Sequence, residues 1–319
     1  MEQIVALHCA KLGKIQMIKN NPVRKDLTTG ILLTVFGALL LSTKGIFAKL
    51  LYAEGADYES VTVVRAVISL PLFWLWYWMK DKKKELKSIS KNSLFFILFA
   101  GFIAYYFGAL VNFYALTIID ANIERLILYS FPAIVIVFKS FQDKTVPSTS
   151  IIAILIVIYS GLYLTVGGGN QLLMMKNFEG GLLVFVSTIT ISIYFILNEK
   201  YARKVGSISF TSIAMTGATI GLFFHILMTS NYSWIGWTQA MWINMIMLVL
   251  IATTIPLFMV AEGVKKAGAS TSALATTIAP PSTIFFAWLI LGEKLVATQV
   301  LGCLMVLFGI ILLQRSSSK

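Results

Sequence analysis

Charge is what this sequence has least of. Asp, Glu, Lys and Arg make up 13% of its 319 residues, against about one-quarter in soluble domains, and its mean hydropathy is +0.83. An ordinary soluble domain is thereby excluded. Cysteine is nearly missing: Cys9 and Cys303 are the only two, too few for a framework of bridges, and Cys303 lies in an apolar run. Imidazole comes only from His8 and His225, with no HExxH helix, no evident Cys–His pair and no acid pair within the apolar runs. That argues against an intramembrane enzyme and against a metal centre. No catalytic residue, cofactor or metal is expected. Acidic residues are outnumbered 14 to 26, giving a net charge of +12. A nucleic-acid partner is not expected from this excess, because it falls in alternate loops, as membrane topology requires.

What fills the sequence instead is apolar. Runs long enough to cross ~30 Å of hydrocarbon recur ten times, near 30–52, 60–79, 93–116, 121–141, 149–167, 180–201, 208–229, 239–261, 269–291 and 296–314. Shifting the chain on itself by 148 positions lays Ala121 on Ala269, Pro132 on Pro280 and Gly161 on Gly309. Pro132 and Pro280 each sit deep in an apolar run, and broken helices at matching points of two repeats mark a secondary transporter. Five spans per repeat is an odd number, so the second copy enters the membrane from the opposite side. The fold class is an all-α membrane protein: ten transmembrane helices as two inverted five-helix repeats. Its parts are an N-terminal segment 1–29, a first repeat 30–167, a linker 168–179, a second repeat 180–314 and a tail 315–319.

The lysines and arginines orient this array. With the N-terminus inside, inner segments collect most of them, among them Lys80, Lys82, Lys83, Lys84 and Lys87, while outer segments hold only Lys176 and Lys294. Glu54, Asp57 and Glu59 crowd the first outer loop. Both termini are expected in the cytoplasm and the protein in the plasma (inner) membrane. Residues 1–29 lack a signal-peptide pattern. They read as an interfacial helix carrying Ile4, Val5, Leu7, Leu12 and Ile15, or as disorder, with Met17 an alternative start. Trp74, Trp76, Trp78, Trp234 and Trp237 read as interfacial anchors, Gly167–Gly169 as a connector, and Gly101, Gly108, Gly217 and Gly221 as sites of close helix approach.

Several short stretches carry a resemblance. They are G-I-F-A-K (45–49), V-V-R (63–65), Ala115-Leu116 leading to Pro132, Gly263-Val264 leading to Pro280, L-G-E-K-L (291–295) and G-C-L-M-V-L-F-G (302–309). Together they resemble the drug/metabolite transporter superfamily, specifically its EamA-type ten-span members. The first copy departs where Lys144-Thr145 stands for Gly292-Glu293. The resemblance implies movement of small metabolites, commonly as export.

Ionisable residues inside a span are expensive and point to function. Five stand out: Lys44, Lys49, Arg65, Glu124 and Arg125, all in the first repeat and in the outer half of the membrane. Lys49 can snorkel outward to Glu54 and Asp57. Arg65 reads as an anchor or a substrate contact. Lys44 is deeper and needs a partner, and Glu124 is the best one in sequence. Glu124 and Arg125 point about 100° apart on a helix and cannot pair. At the breaks, Pro132, Pro280 and Pro281 free carbonyls that, with Ser130, Thr276 and Thr277, can hold polar substrate groups. Thr253, Thr254 and Pro256 suggest a similar, weaker site. Asn112, Tyr129 and Asn198 are further cavity candidates, and His225 reads as a packing residue.

The expected function is a secondary transporter, working in the export direction, for a small polar or amphipathic metabolite. The excess of Lys and Arg over Glu favours an amino acid or organic acid. Its partners are a small-molecule substrate and the lipid bilayer, as monomer or homodimer. Proton coupling through Glu124 is an alternative, although a carboxylate among several cations is a poor proton carrier. A lipid flippase or a sensory membrane module is the rival reading.

Overall fold

The computed structural model describes residues 22–79, 89–144, 146–267, 272 and 275–317, which form helices and connectors with no strand among them. Among the described residues, eight helices are long and apolar enough to cross a membrane, from Leu27–Ala53 to Gln239–Gly263, and Ala279–Leu291 and Ala297–Leu313 are shorter. The ninth and tenth runs therefore appear here as short apolar helices. The N-terminal stretch with Met17, Lys80 to Lys87, Ala269 and Thr145 lie outside the described residues.

In chain order the helices are α1 (Pro22–Leu41), α2 (Lys44–Ala53), α3 (Tyr58–Met79), α4 (Lys91–Gly101), α5 (Gly108–Ile118), α6 (Ala121–Leu128) and α7 (Phe131–Asp143). Then follow α8 (Thr149–Val166), α9 (Gln171–Val205), α10 (Ser207–Thr229), α11 (Gln239–Val249), α12 (Ile255–Ala267), α13 (Ala279–Phe286) and α14 (Ala297–Ser317). Wide π turns join α4 to α5 at Phe102–Phe107 and α11 to α12 at Leu250–Thr254, and a third follows α13 at Ala287–Leu291.

The 148-residue offset reaches the element boundaries. It carries the start of α4 onto α11, the first π turn onto the second, α7 onto α13 and α8 onto α14. The caps repeat too: Ser90 accepts from the Ser93 amide at 3.2 Å, and Thr238 from the Met241 amide at 3.3 Å, each satisfying a helix-end donor. Lys144 and Gly292 both close their helices in the left-handed region, at φ 51° and 68°. The first copy thus keeps the turn without the glycine that makes it easy.

Packing follows the same exchange. α1 lies against α12 and α9 against α5, one pair the image of the other; α3 meets α10, α8 meets α14 and α6 meets α13. Small residues set the approach. A side chain at Gly101 would strike the Ala214 carbonyl, and one at Gly217 the Leu98 carbonyl. At the α8–α14 crossing a Cβ on Gly161 would lie 2.8 Å from the Gly302 oxygen.

Within the stretch 168–179, Asn170 caps the Leu173 amide at 3.2 Å and α9 runs unbroken from Gln171. The Trp74 indole donates to Thr216 on α10 at 3.0 Å. Trp234 and Trp237 pack on the apolar cluster built around Val61, Phe113 and Leu248.

Candidate functional site

Three interrupted helices meet in the middle of the fold. The break between α6 and α7 follows from Pro132, which has no N–H to offer the carbonyl four residues back. At the same turn the Ser130 hydroxyl donates to the Ile127 carbonyl at 2.7 Å. Pro280 likewise frees the Thr276 carbonyl ahead of α13, and the Tyr129 hydroxyl donates to it at 3.2 Å. One break therefore supplies the donor that the other lacks.

The third break lies between α1 and α2, where there is no proline. Ser42 and Thr43 turn their hydroxyls back onto the Leu39 and Leu40 carbonyls at 2.6 and 2.7 Å, a competition with the helix that bends it. The Ser42 carbonyl accepts from Thr283 of α13 at 3.0 Å. No residue in the sequence announced this break beyond a Ser-Thr pair ahead of Gly45.

Lys44 begins α2 just past that bend. Its ammonium donates to Asn112 Oδ1 of α5 at 2.7 Å and to Glu124 Oε1 of α6 at 3.1 Å. Asn112 Nδ2 donates to the same Glu124 oxygen at 2.9 Å. Glu124 is 1% exposed, Asn112 3% and the Lys44 side chain 19%. Gly45 makes the approach feasible, because its missing Cβ would sit 3.1 Å from Ala121 Cβ and 3.7 Å from Glu124 Oε2. A charged pair with an amide bonded to both members is how a buried ion pair is kept satisfied.

The two arginines flank this triad. Arg65, 4% exposed, has its guanidinium carbon 5.2 Å from the Phe113 ring centre, and the Lys44 ammonium lies 5.4 Å from the same ring. Arg125, 6% exposed, stacks 5.1 Å from the Tyr129 ring. Phe113 was not among the candidates. Its apolar type hides its use as a platform for two cations.

Other candidates lie apart from the triad. Ser130 is wholly buried with its hydroxyl bonded within its own turn, and Pro281 is exposed while Pro280 is buried. Thr276 joins through its carbonyl, and Thr277 follows it in the same turn. Thr253 donates to the Leu248 carbonyl at 2.9 Å across the second π turn. His225, expected as a packing residue, faces Glu59 at 3.9 Å and the Tyr106 ring at 5.9 Å.

At the loop ends two carboxylates tie the repeats together. Glu293 accepts from the Ala121 and Asn122 amides at 2.9 and 3.2 Å, capping α6 from the other repeat. Burial pushes its carboxyl above the ordinary value, helped by Asp120 and opposed by those amides and by Lys49. Lys49 thus has Glu293 and Asp120 as its acidic neighbours, in place of Glu54 and Asp57. Asp57 is bound instead by Ser233, by the Ser60 amide at 2.8 Å and by Asn231 at 3.0 Å. Burial pushes its carboxyl up, but these donors outweigh it and hold the group below the ordinary range.

Comparison with known proteins gives this arrangement a context. The sequence model of the EamA-like transporter family matches residues 28–167 and 178–315. The uncharacterized transporter YcbK of Bacillus subtilis is 28% identical over 288 residues, covering 88% of this chain and 90% of its own. An uncharacterized transporter of Clostridium kluyveri is 22% identical over 302 residues, covering 91% and 94%. A solved crystal structure aligns with a TM-score of 0.61 at 15% identity, over 92% of this chain and 99% of its own, and shares the fold alone.

Proposed function

The chain belongs to the EamA-like transporter family, and from that premise we propose that it is an alternating-access carrier exporting a small polar or amphipathic metabolite, such as an amino acid or organic acid. It is a multi-pass membrane protein of a transporter family. In this proposal ten spans form two inverted repeats in the plasma membrane, both termini are cytoplasmic, and the substrate binds beside the Lys44–Asn112–Glu124 triad.

The observation that supports this reading most is the place of the triad. It lies beside three helix breaks, and two of those breaks are joined across the repeats by Tyr129 with Thr276 and Thr283 with Ser42. Bonds of this kind, between interrupted helices, let the repeats rock about a fixed centre without unfolding either one. A buried ion pair within membrane-spanning segments is otherwise costly to keep.

Counterflow in proteoliposomes loaded with a pooled metabolite mixture tests the proposal. Saturable exchange that disappears in Lys44→Ala supports a carrier working through the triad. Exchange kept by Glu124→Gln with loss of pH-driven accumulation would assign proton coupling to that carboxylate. If folded protein exchanges nothing in aqueous pools yet moves labelled lipid, the carrier reading gives way to a flippase.

A further inference from the structure

Resting on that carrier reading, we propose that the substrate is a small dianion, a compact dicarboxylate or phosphate monoester, held between Arg65 and Arg125. Lys44 lies within electrostatic reach of both Arg65 and Arg125 and shares the Phe113 ring with Arg65, and Glu124 is its acid partner. Lys44 takes that acid. Two guanidinium groups are left over.

Among the described residues, neither guanidinium makes a hydrogen bond or an ion pair, and the Nε atom of each is buried without a partner. Each rests on an aromatic face, Phe113 for Arg65 and Tyr129 for Arg125. A ring face returns only a fraction of what such an ion loses on leaving water. Arginine cannot escape by giving up its proton, as a buried lysine can. The two positive charges therefore persist, and something negative must meet them.

The chemistry of the two groups says what that is. A guanidinium is a planar fork that binds carboxylate or phosphate oxygens through two parallel bonds. The rings behind Arg65 and Arg125 hold each fork in place before a ligand arrives, which lowers the ordering loss on binding. A monoanion would leave one buried charge unmatched, and a zwitterion would bring in a further cation. A dianion matches both. Phe113 carries Lys44 on the same ring as Arg65, so one end of the ligand also lies within reach of the triad. That links ligand charge to the pair Lys44–Glu124.

The test is thermal unfolding of the full chain in detergent micelles at constant ionic strength. The probes are succinate and glycerol 3-phosphate as dianions, lactate as monoanion, glutamine as zwitterion and putrescine as dication. The dianions should raise the midpoint saturably, at concentrations at least roughly tenfold below lactate. Arg65→Gln and Arg125→Gln should each weaken the dianions roughly tenfold or more, to the level of lactate. Arg65→Lys and Arg125→Lys keep the charge without the fork, so they should fall between, and they serve if a glutamine variant does not fold. A stronger response to succinate than to glycerol 3-phosphate selects the dicarboxylate, and the reverse selects the phosphate monoester. Equal response to lactate and the dianions, or dianion binding unchanged in the Arg→Gln variants, overturns the proposal. Counterflow separates the two readings: exchange of a neutral solute with no anion binding sinks the dianion and spares the carrier. Dianion binding without exchange of any solute does the opposite.

Discussion

Removing both members of the Lys44–Glu124 pair should harm the fold less than the sum of removing each one alone. At 3.1 Å and an effective dielectric of about 20, the two charges attract by roughly 5 kcal/mol. Lys44→Met leaves Glu124, 1% exposed, with Asn112 as its remaining close donor. Glu124→Gln takes from Lys44 its paired acid while Arg65 and Arg125 remain within electrostatic reach. Each single change should destabilise by about 3 kcal/mol, the low end for a broken buried pair, because Lys44 keeps 19% exposure. The double variant removes both charges and should cost no more than about 4 kcal/mol, a coupling of about 2 kcal/mol. Unfolding in mixed micelles with increasing SDS, followed by tryptophan fluorescence, measures all four proteins. Additivity within about 0.5 kcal/mol would refute the claim that this contact is a mutually dependent pair.

Lys144→Gly should stabilise by about 1 kcal/mol, since Lys144 closes α7 at φ 51° where a side chain is strained; the same unfolding assay reads it. Glu293→Ala should lose about 1–2 kcal/mol by uncapping α6, seen as faster amide exchange at Ala121 and Asn122. Asp57 has a depressed carboxyl, so its stabilisation is present above the ordinary value of 3.8 and is lost as pH falls below it. Between pH 5 and pH 2, wild type should therefore lose more stability than Asp57→Asn, with Trp234 fluorescence as the probe of the adjoining turn.

Much of this architecture was legible because it is written in local signals. Pro132 and Pro280 mark their breaks by chemistry that no context can override, and Gly101 and Gly217 mark close approach. The bend at Ser42–Thr43 was not legible, because serine and threonine bend a helix only when their hydroxyls turn back, and most do not. The start of α9 at Gln171 was not legible either, because Lys176 and Glu179 break the apolar pattern, and both ride exposed on the first turns of a long helix. At the site, Lys44 and Glu124 could be matched by charge and depth alone. Asn112 as the shared bridge, Phe113 as the platform for Lys44 and Arg65, and Glu293 as the cap of a helix 172 residues away are contacts of tertiary structure. No pattern of residue types at short spacing encodes them.

The paired π turns carry a mechanical consequence. A π turn takes one more residue per hydrogen-bonded loop than an α turn, so it interrupts the regular ladder of the helix that holds it. Phe102–Phe107 and Leu250–Thr254 begin 148 positions apart, the offset that relates the repeats, so both copies are softened at the same point. The turn at Ala287–Leu291 has no such twin, since α7 continues regularly to Asp143. The two copies are therefore matched in the helix of the shared turn and unmatched in the helix that follows the proline.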